Sequence, residues 1–335
     1  MRAVMVREFG AIANAAMEEV PEPVAGNGEV LVEVHAAPVN FADLLTIAGT
    51  YQVRPKLPFT PGRSPAGIVR ALGAGVKDLQ TGDRVLAMAW QGGFAEQVAV
   101  DAALCYRLPD ALSLAHAAAM SLTYDTAWMA LRERARIAAG ETVLVLGATG
   151  GVGSAAVQLA KAMGARVLAG VSSAEKFAAL RAAGADGMVD VSRADLRESL
   201  RQQVWAQTDG RGADVILDAL GGDIFDAAIR ALAWRGRLVV MGFAAGRIPT
   251  LAANYLLVKN IEVSGLQISD YHKRRPDLVR QCYGEIHHWL ADGSVKPPET
   301  RTLPLEAFAT ALQLIADRKA PGRMVLSPRH REVAQ

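Results

Sequence analysis

Thr142-Val-Leu-Val-Leu-Gly-Ala-Thr-Gly-Gly-Val-Gly153 decides how the second half of this chain folds. A short run of valine and leucine reaches a glycine turn, Gly147-x-x-Gly150-Gly151-x-Gly153, and the turn opens an alanine-rich stretch, Ser154–Met163, of helical character. Glycines at these places suit a tight turn, a close approach of backbone to a pyrophosphate, and a helix lying against a strand. The helix start then offers unbonded N–H groups and a partial positive charge to phosphates. The spacing is not G-x-G-x-x-G, and such a turn alone is a weak signal. Thr142–Ala160 carries no charge and is about as long as a membrane span, but its glycines argue for strand, turn and helix instead.

What lies around the turn gives it meaning. Apolar runs follow one another at Thr142–Leu146, Arg166–Val171, Gly187–Val191, Asp214–Leu217, Arg237–Met241 and Ile261–Val263. Between them, Val152–Met163, Ala174–Ala183, Ala194–Gln207 and Ile224–Ala233 suit amphipathic crossover helices. The alternation predicts a doubly wound parallel sheet with helices on both faces, an α/β class. The residues up to about 120 read differently: Glu29–His35, Gly67–Leu72 and Arg84–Ala89 are short strand-like runs divided by turns such as Gly26-Asn27-Gly28 and Thr81-Gly82-Asp83. After a helical Pro276–Leu290, a tail with a strand-like Arg323–Leu326 is too short for its own core and is expected to return to the first domain. The expected division is a β-rich substrate domain over 1–122 and 265–335, with the nucleotide domain over 123–264 between them.

At 335 residues and 51% hydrophobic, the chain has room for two domains sharing a cleft. Its 36 basic and 34 acidic residues leave a net charge of +2, which gives no footprint for nucleic acid or an anionic membrane. Any phosphate must be held locally. Cys105 and Cys282 stand far apart and form no CxxC pair. Charges at Arg2, Arg7 and Glu8 leave no apolar core for a signal peptide, so the expected location is cytoplasmic.

Cofactor choice is read at the end of the second strand of the alternating half. An NAD site places Asp or Glu about 20 residues past the first glycine to bind the ribose 2′-hydroxyl. Here the segment is Leu168-Ala-Gly-Val-Ser172-Ser173, with no acid, and Lys176 follows. Hydroxyls and an ammonium suit a 2′-phosphate, which predicts NADPH. The plainer alternative makes Ser172 a helix cap and Lys176 a solvated lysine.

Several blocks, in order, resemble the quinone oxidoreductase branch of the medium-chain dehydrogenase/reductase superfamily: Asn40-Phe-Ala-Asp43 with Gly49-Thr-Tyr51, Pro61-Gly-Arg-Ser-Pro-Ala-Gly67, Gly73-Ala-Gly-Val76, Gly82-Asp-Arg-Val85, Gly92-Gly-Phe-Ala-Glu96, Thr126-Ala-Trp128, and Lys259-Asn260 to Gly265. The resemblance covers nearly the whole chain. It implies a GroES-like catalytic domain plus a Rossmann domain, the nicotinamide in the cleft, and a homodimer. It also implies Tyr51 and Asn40 as catalytic residues. The implied NADPH contacts are Thr126, Gly150, Gly151, Val152, Ser172, Ser173, Lys176, Gly221, Phe243 and Arg318. Two positions depart from the family pattern: Ser64 stands where Glu is usual, and Val191 where some members place a tyrosine against the adenosine phosphate.

Alcohol dehydrogenases of this superfamily hold zinc through a cysteine, a Gly-His-Glu element and a later ligand, because a Lewis acid must stabilise the alkoxide. Here Asn40 occupies the cysteine position and Gly62-Arg63-Ser64 the Gly-His-Glu position. The segment Ala89–Arg107 offers only Cys105 to a structural zinc lobe, so no metal is expected. Without one, a conjugated acceptor that delocalises the incoming charge is the natural substrate: a quinone or an α,β-unsaturated carbonyl. An enoyl-thioester reductase is the nearest rival, with Lys273, Arg274 and Arg275 as candidates for the CoA phosphates. A non-catalytic NADPH-binding sensor is the reading from another class.

Overall fold

The computed structural model describes residues 1–329. The chain forms two compact units, Met1–Ser121 with the chain from Pro297 on, and Leu122–Lys296.

The first unit is β-rich. β1 (Arg2–Val6) and β2 (Ala15–Glu19) form an antiparallel ribbon. β3 (Glu29–Pro38) is the spine of the main sheet, pairing antiparallel with both β4 (Ala66–Leu72) and β6 (Gln97–Asp101). β5 (Arg84–Ala87) and β7 (Cys105–Arg107) extend the β4 side. Val30, Val32 and Val34 alternate along β3 and are fully buried with Val4, Val6, Val69 and Phe94, the period-two pattern of a strand with one face on a core. The helices of this half are α1 (Phe41–Ile47) and α2 (Leu114–Met120).

The second unit begins with α3 (Tyr124–Trp128), which runs on through a π-helical turn at Met129–Arg134. Its sheet is wholly parallel: β8 (Thr142–Leu146), β9 (Arg166–Val171), β10 (Gly187–Asp190), β11 (Ala213–Asp218), β12 (Leu232–Val240) and β13 (Glu262–Gly265), in the order β10-β9-β8-β11-β12-β13. Every residue of β8 is buried, as both faces of a parallel sheet are covered. α4 (Gly151–Ala162), α5 (Ala174–Ala182), α6 (Leu196–Ala206) and α7 (Gly222–Ala228) are the crossovers. α8 (Asn254–Lys259), α9 (Ile268–Arg274) and α10 (Pro276–Ala291) complete the unit. Strand order reverses between β8 and β11, the place where open α/β sheets bind nucleotides. Among the described residues no helix is long and apolar enough to cross a membrane.

β14 (Thr300–Pro304), α11 (Phe308–Ala316) and β15 (Arg323–Ser327) return to the first unit, where β15 pairs antiparallel with the end of β3. The return starts later than the sequence suggests. Residues 265–296, expected in the substrate domain, belong to the second unit, where polar contacts tie α9 and α10 to α3. His272 and Tyr283 reach Asp125 at 2.9 and 3.4 Å, and Trp128 Nε1 donates to Glu285 at 3.0 Å. A second expectation also changes: the helix predicted over Ile224–Ala233 is α-helical to Ala228, continues as a 3-10 turn to Ala231, and stops there. Leu232 already pairs with Ala213 as β12 begins, so sheet pairing overrides the helical propensity of an alanine-rich stretch.

Candidate active site

In the first unit the site is built on the N-terminus of α1. The Asn40 N–H donates to Asp43 Oδ2 at 2.8 Å, the N-cap to N3 bond of a capping box. Asn40 Oδ1 accepts from Arg323 at 2.8 Å, and Arg323 Nε donates to the Ala119 carbonyl at 2.9 Å, so the Asn40 amide is held in one orientation. Asp43 is buried, and burial pushes its carboxyl up to about 6 against the opposing pull of Arg63, the Asn40 N–H, Arg323 and the Gly62 N–H.

Arg63 is the buried cation of this cluster. It is carried by the turn Gly62-Arg63-Ser64, in which Gly62 has φ +90° and Ser64 φ +50°. A Cβ at Gly62 would come within 2.3 Å of the Phe94 ring, so only glycine lets the turn aim Arg63 inward. The Arg63 guanidinium donates to Thr46 Oγ1 at 2.8 Å, lies 3.9 Å from Asp43 Oδ1, and sits 4.1 Å from the centre of the Tyr51 ring. Thr46 in turn donates to the Ala42 carbonyl at 2.7 Å, which fixes its hydroxyl to accept from Arg63. The backbone past α1 turns at Gly49, and the Thr50 and Tyr51 N–H groups both reach the Leu45 carbonyl, at 2.9 and 3.1 Å. Asn40 and Tyr51 are thus linked through Asp43 and Arg63.

The donor set does not suit zinc. Among the described residues no group of three or more His, Cys, Asp or Glu side chains is placed to hold a metal ion. Arg63 brings a fixed positive charge to the turn where the histidine ligand would stand.

In the second unit the expected cofactor residues gather at the carboxyl ends of neighbouring strands. Gly147, with φ +68°, turns the chain from β8 into α4. A Cβ at Gly153 would lie 2.2 Å from the Gly147 carbonyl oxygen, so glycine is required for helix and strand to approach this closely. Gly150 is the extended N-cap of α4 and no side chain caps the helix, which leaves the N–H groups of Gly151 and Val152 for an anion. Beyond β9, Ser172 and Lys176 are exposed, and the N-cap of α5 is Ser173 without a side-chain cap bond. Ser172 is therefore not the helix cap, and both hydroxyls stand at the strand end unspent on the helix, while the exposed Lys176 agrees with the other half of the plainer alternative, a solvated lysine. Beyond β11, Gly221 has φ +68° and a Cβ there would lie 3.0 Å from the ring of Phe243, which is 39% exposed.

Two further expected contacts do not come from these strand ends. Thr126, in α3, is buried; its hydroxyl donates to the Leu122 carbonyl and its N–H to Asp125 Oδ1 at 2.7 Å. Arg318 belongs to the first unit, just past α11, with φ +59°. Sequence reasoning missed Asp218. Buried at the end of β11, its Oδ1 accepts from the N–H groups of Leu220 and Gly221 at 2.8 and 3.0 Å, shaping the turn on which Gly221 sits, and burial raises its pKa. An acid ending an apolar strand just before Gly221-Gly222 was the available signal. It also missed the pairing of Asp43 with Arg63, although the capping-box spacing from Asn40 to Asp43 was visible.

A glycine turn at the switch point of a parallel sheet, joined in one chain to a β-rich unit carrying a polar cluster, defines a nucleotide-dependent dehydrogenase. Comparison with known proteins agrees. Residues 26–110 match the alcohol dehydrogenase GroES-like domain and residues 151–282 the zinc-binding dehydrogenase family. The chain is 37% identical over 329 residues to a quinone oxidoreductase-like protein 2 homolog of Nematostella vectensis, covering 97% of this chain and 88% of the relative. A mycobacterial protein solved in complex with NADPH superposes with a TM-score of 0.90 at 30% identity, over 98% of this chain and all of the other. The CurK enoyl reductase superposes at 0.86 with 26% identity, over 97% and 98% of the two chains. The chain belongs to the quinone oxidoreductase branch of the medium-chain dehydrogenase/reductase superfamily, and it is an NAD(P)-dependent oxidoreductase.

Proposed function

We propose that the protein reduces a quinone or an α,β-unsaturated carbonyl with NADPH and without a metal ion. The observation that carries this reading is the buried Arg63, packed against Tyr51 and Asp43 in the turn where a zinc enzyme would need ligands. A site with a guanidinium in that place has no Lewis acid for a simple alkoxide, whereas a conjugated acceptor spreads the incoming charge over its own atoms.

NADPH, when bound, supplies a hydride to the acceptor carbon. The chain's own groups do the rest. The uncapped start of α4 binds the pyrophosphate. Ser172 and Ser173 donate hydrogen bonds to the 2′-phosphate and Lys176 balances its charge, at a strand end, Leu168–Ser173, that carries no acid. Tyr51 offers a flat ring for the acceptor and a hydroxyl proton for the oxygen on which charge collects. Asn40, its amide fixed by Arg323, offers a hydrogen bond of one orientation. The likeness to an enoyl reductase favours a second reading, an enoyl-thioester substrate, with the exposed Lys273 and Arg274 at the end of α9 as the phosphate contacts.

The test is steady NADPH consumption by metal-stripped protein, offered a soluble quinone, a simple enone and an enoyl thioester in turn. Turnover with a quinone or enone that survives chelation is expected. Stoichiometric zinc whose removal abolishes turnover, or NADPH binding with no turnover on any acceptor, overturns the reading.

A further inference from the structure

The residues expected to act on the acceptor do not hold themselves in place. Tyr51 lies on a short stretch past α1 where the Thr50 and Tyr51 N–H groups share the Leu45 carbonyl, and its side chain is half-buried. The Arg63 guanidinium lies over its ring, 4.1 Å from the centre. Arg63 is itself 5% exposed, bonded to Thr46, and drawn toward Asp43, whose other oxygen accepts the Asn40 N–H; its Nε, 3.9 Å from Asp43, makes no hydrogen bond. A planar cation against an aromatic face is an attractive contact, stronger when water is kept away.

We infer that Arg63 is a positioning residue for catalysis: with Asp43 it forms a buried clamp that sets the Tyr51 ring in register with Asn40, and it acts through Tyr51 rather than by touching the substrate. This rests on the reading of Tyr51 as part of the acceptor site. It requires Arg63 to matter only while the ring is present, whether the ring serves as a wall or its hydroxyl as a proton donor.

The test is a cycle of R63M, Y51A and R63M/Y51A, assayed with NADPH on a quinone and an enone. Because R63M strands the Asp43 carboxylate and is at risk of misfolding, D43N/R63M, which removes both charges, is made in parallel. R63M and D43N/R63M should each lower kcat on the order of ten- to a hundredfold, as expected of misplacement without loss of a reacting group, with the NADPH Kd unchanged. In the Y51A background the loss on adding R63M should shrink to within about twofold, the non-additivity of groups that act as a unit. An equal loss in both backgrounds overturns the proposal, as does a folded R63M or D43N/R63M with wild-type turnover. A second readout needs no turnover. In protein labelled with 13C-tyrosine, the resonance that disappears in Y51F is that of Tyr51. It should move in R63M and D43N/R63M, and an unmoved resonance overturns the clamp. If the wild type turns over neither acceptor, the functional reading fails while the resonance still decides the clamp.

Discussion

His272 Nε2 lies 2.9 Å from Asp125 Oδ2, and neither side chain has any solvent exposure. The pair spans 147 residues of sequence and fastens α9 to α3, with Tyr283 reaching the same carboxylate oxygen. Removing His272 takes away the nearest partner of Asp125 Oδ2 and leaves a buried carboxylate less fully compensated. His272→Ala should therefore destabilise the second unit by about 3 kcal/mol. Urea unfolding followed by tryptophan fluorescence checks this, and a loss under about 1 kcal/mol would show that the pair is dispensable.

Lys176 governs the next prediction. Wild-type protein should bind NADPH at least about tenfold more tightly than NADH, a difference of roughly 1.4 kcal/mol. Lys176→Ala should remove much of that gap by weakening NADPH and leaving NADH nearly unchanged. Titration by nicotinamide fluorescence measures both, and equal affinities in the wild type would rule out the NADPH assignment.

Asp43 gives a pH dependence with a definite sign. Its carboxyl rises from an ordinary 3.8 to about 6 in the folded protein, so the folded state holds the proton more tightly than the unfolded chain does. The stabilisation is fully present below 3.8 and is lost as pH rises through about 6. Asp43→Asn does not titrate. Across that window the variant should gain about 3 kcal/mol relative to wild type. Chemical denaturation at closely spaced pH values measures the difference, and a constant offset between the two proteins would refute the shift.

Tyr51→Phe keeps the ring and the contact with Arg63 while removing the hydroxyl. Should the hydroxyl donate a proton, kcat for an enone falls about 10²-fold, the scale of a general acid, with little change for a quinone, whose hydroquinone anion is stable. Small and equal losses on both acceptors would leave Tyr51 as a stacking wall. Initial rates at saturating NADPH separate the two.

The sequence showed the second unit almost element by element because its apolar runs are short, evenly spaced and separated by helices of opposite periodicity. β8, β9 and α4 fall within a residue of expectation. The end of α7 was not legible, since alanines at 227, 228, 231 and 233 favour helix locally while the partner that makes Leu232 a strand residue, Ala213, is supplied from a distance. The same limit governed the site. Asn40, Tyr51 and the glycine turn announce themselves in short motifs, whereas the Arg63–Tyr51 contact depends on Gly62 and Ser64 taking positive φ together. The tie of Asp125 to His272 was equally out of reach, because nothing local marks a partner so far along the chain.

The return of the chain from Pro297 onward fixes an order of assembly. The second unit is one continuous stretch and has all its strands as soon as Lys296 has been made. The first unit, though begun earlier, waits for β15 to pair with Ala37 and Pro38 at the end of β3. Until β15 has been made, the last residues of β3 lack that partner while the second unit can already close, and such unpaired strand is a point where a partly made chain is open to aggregation.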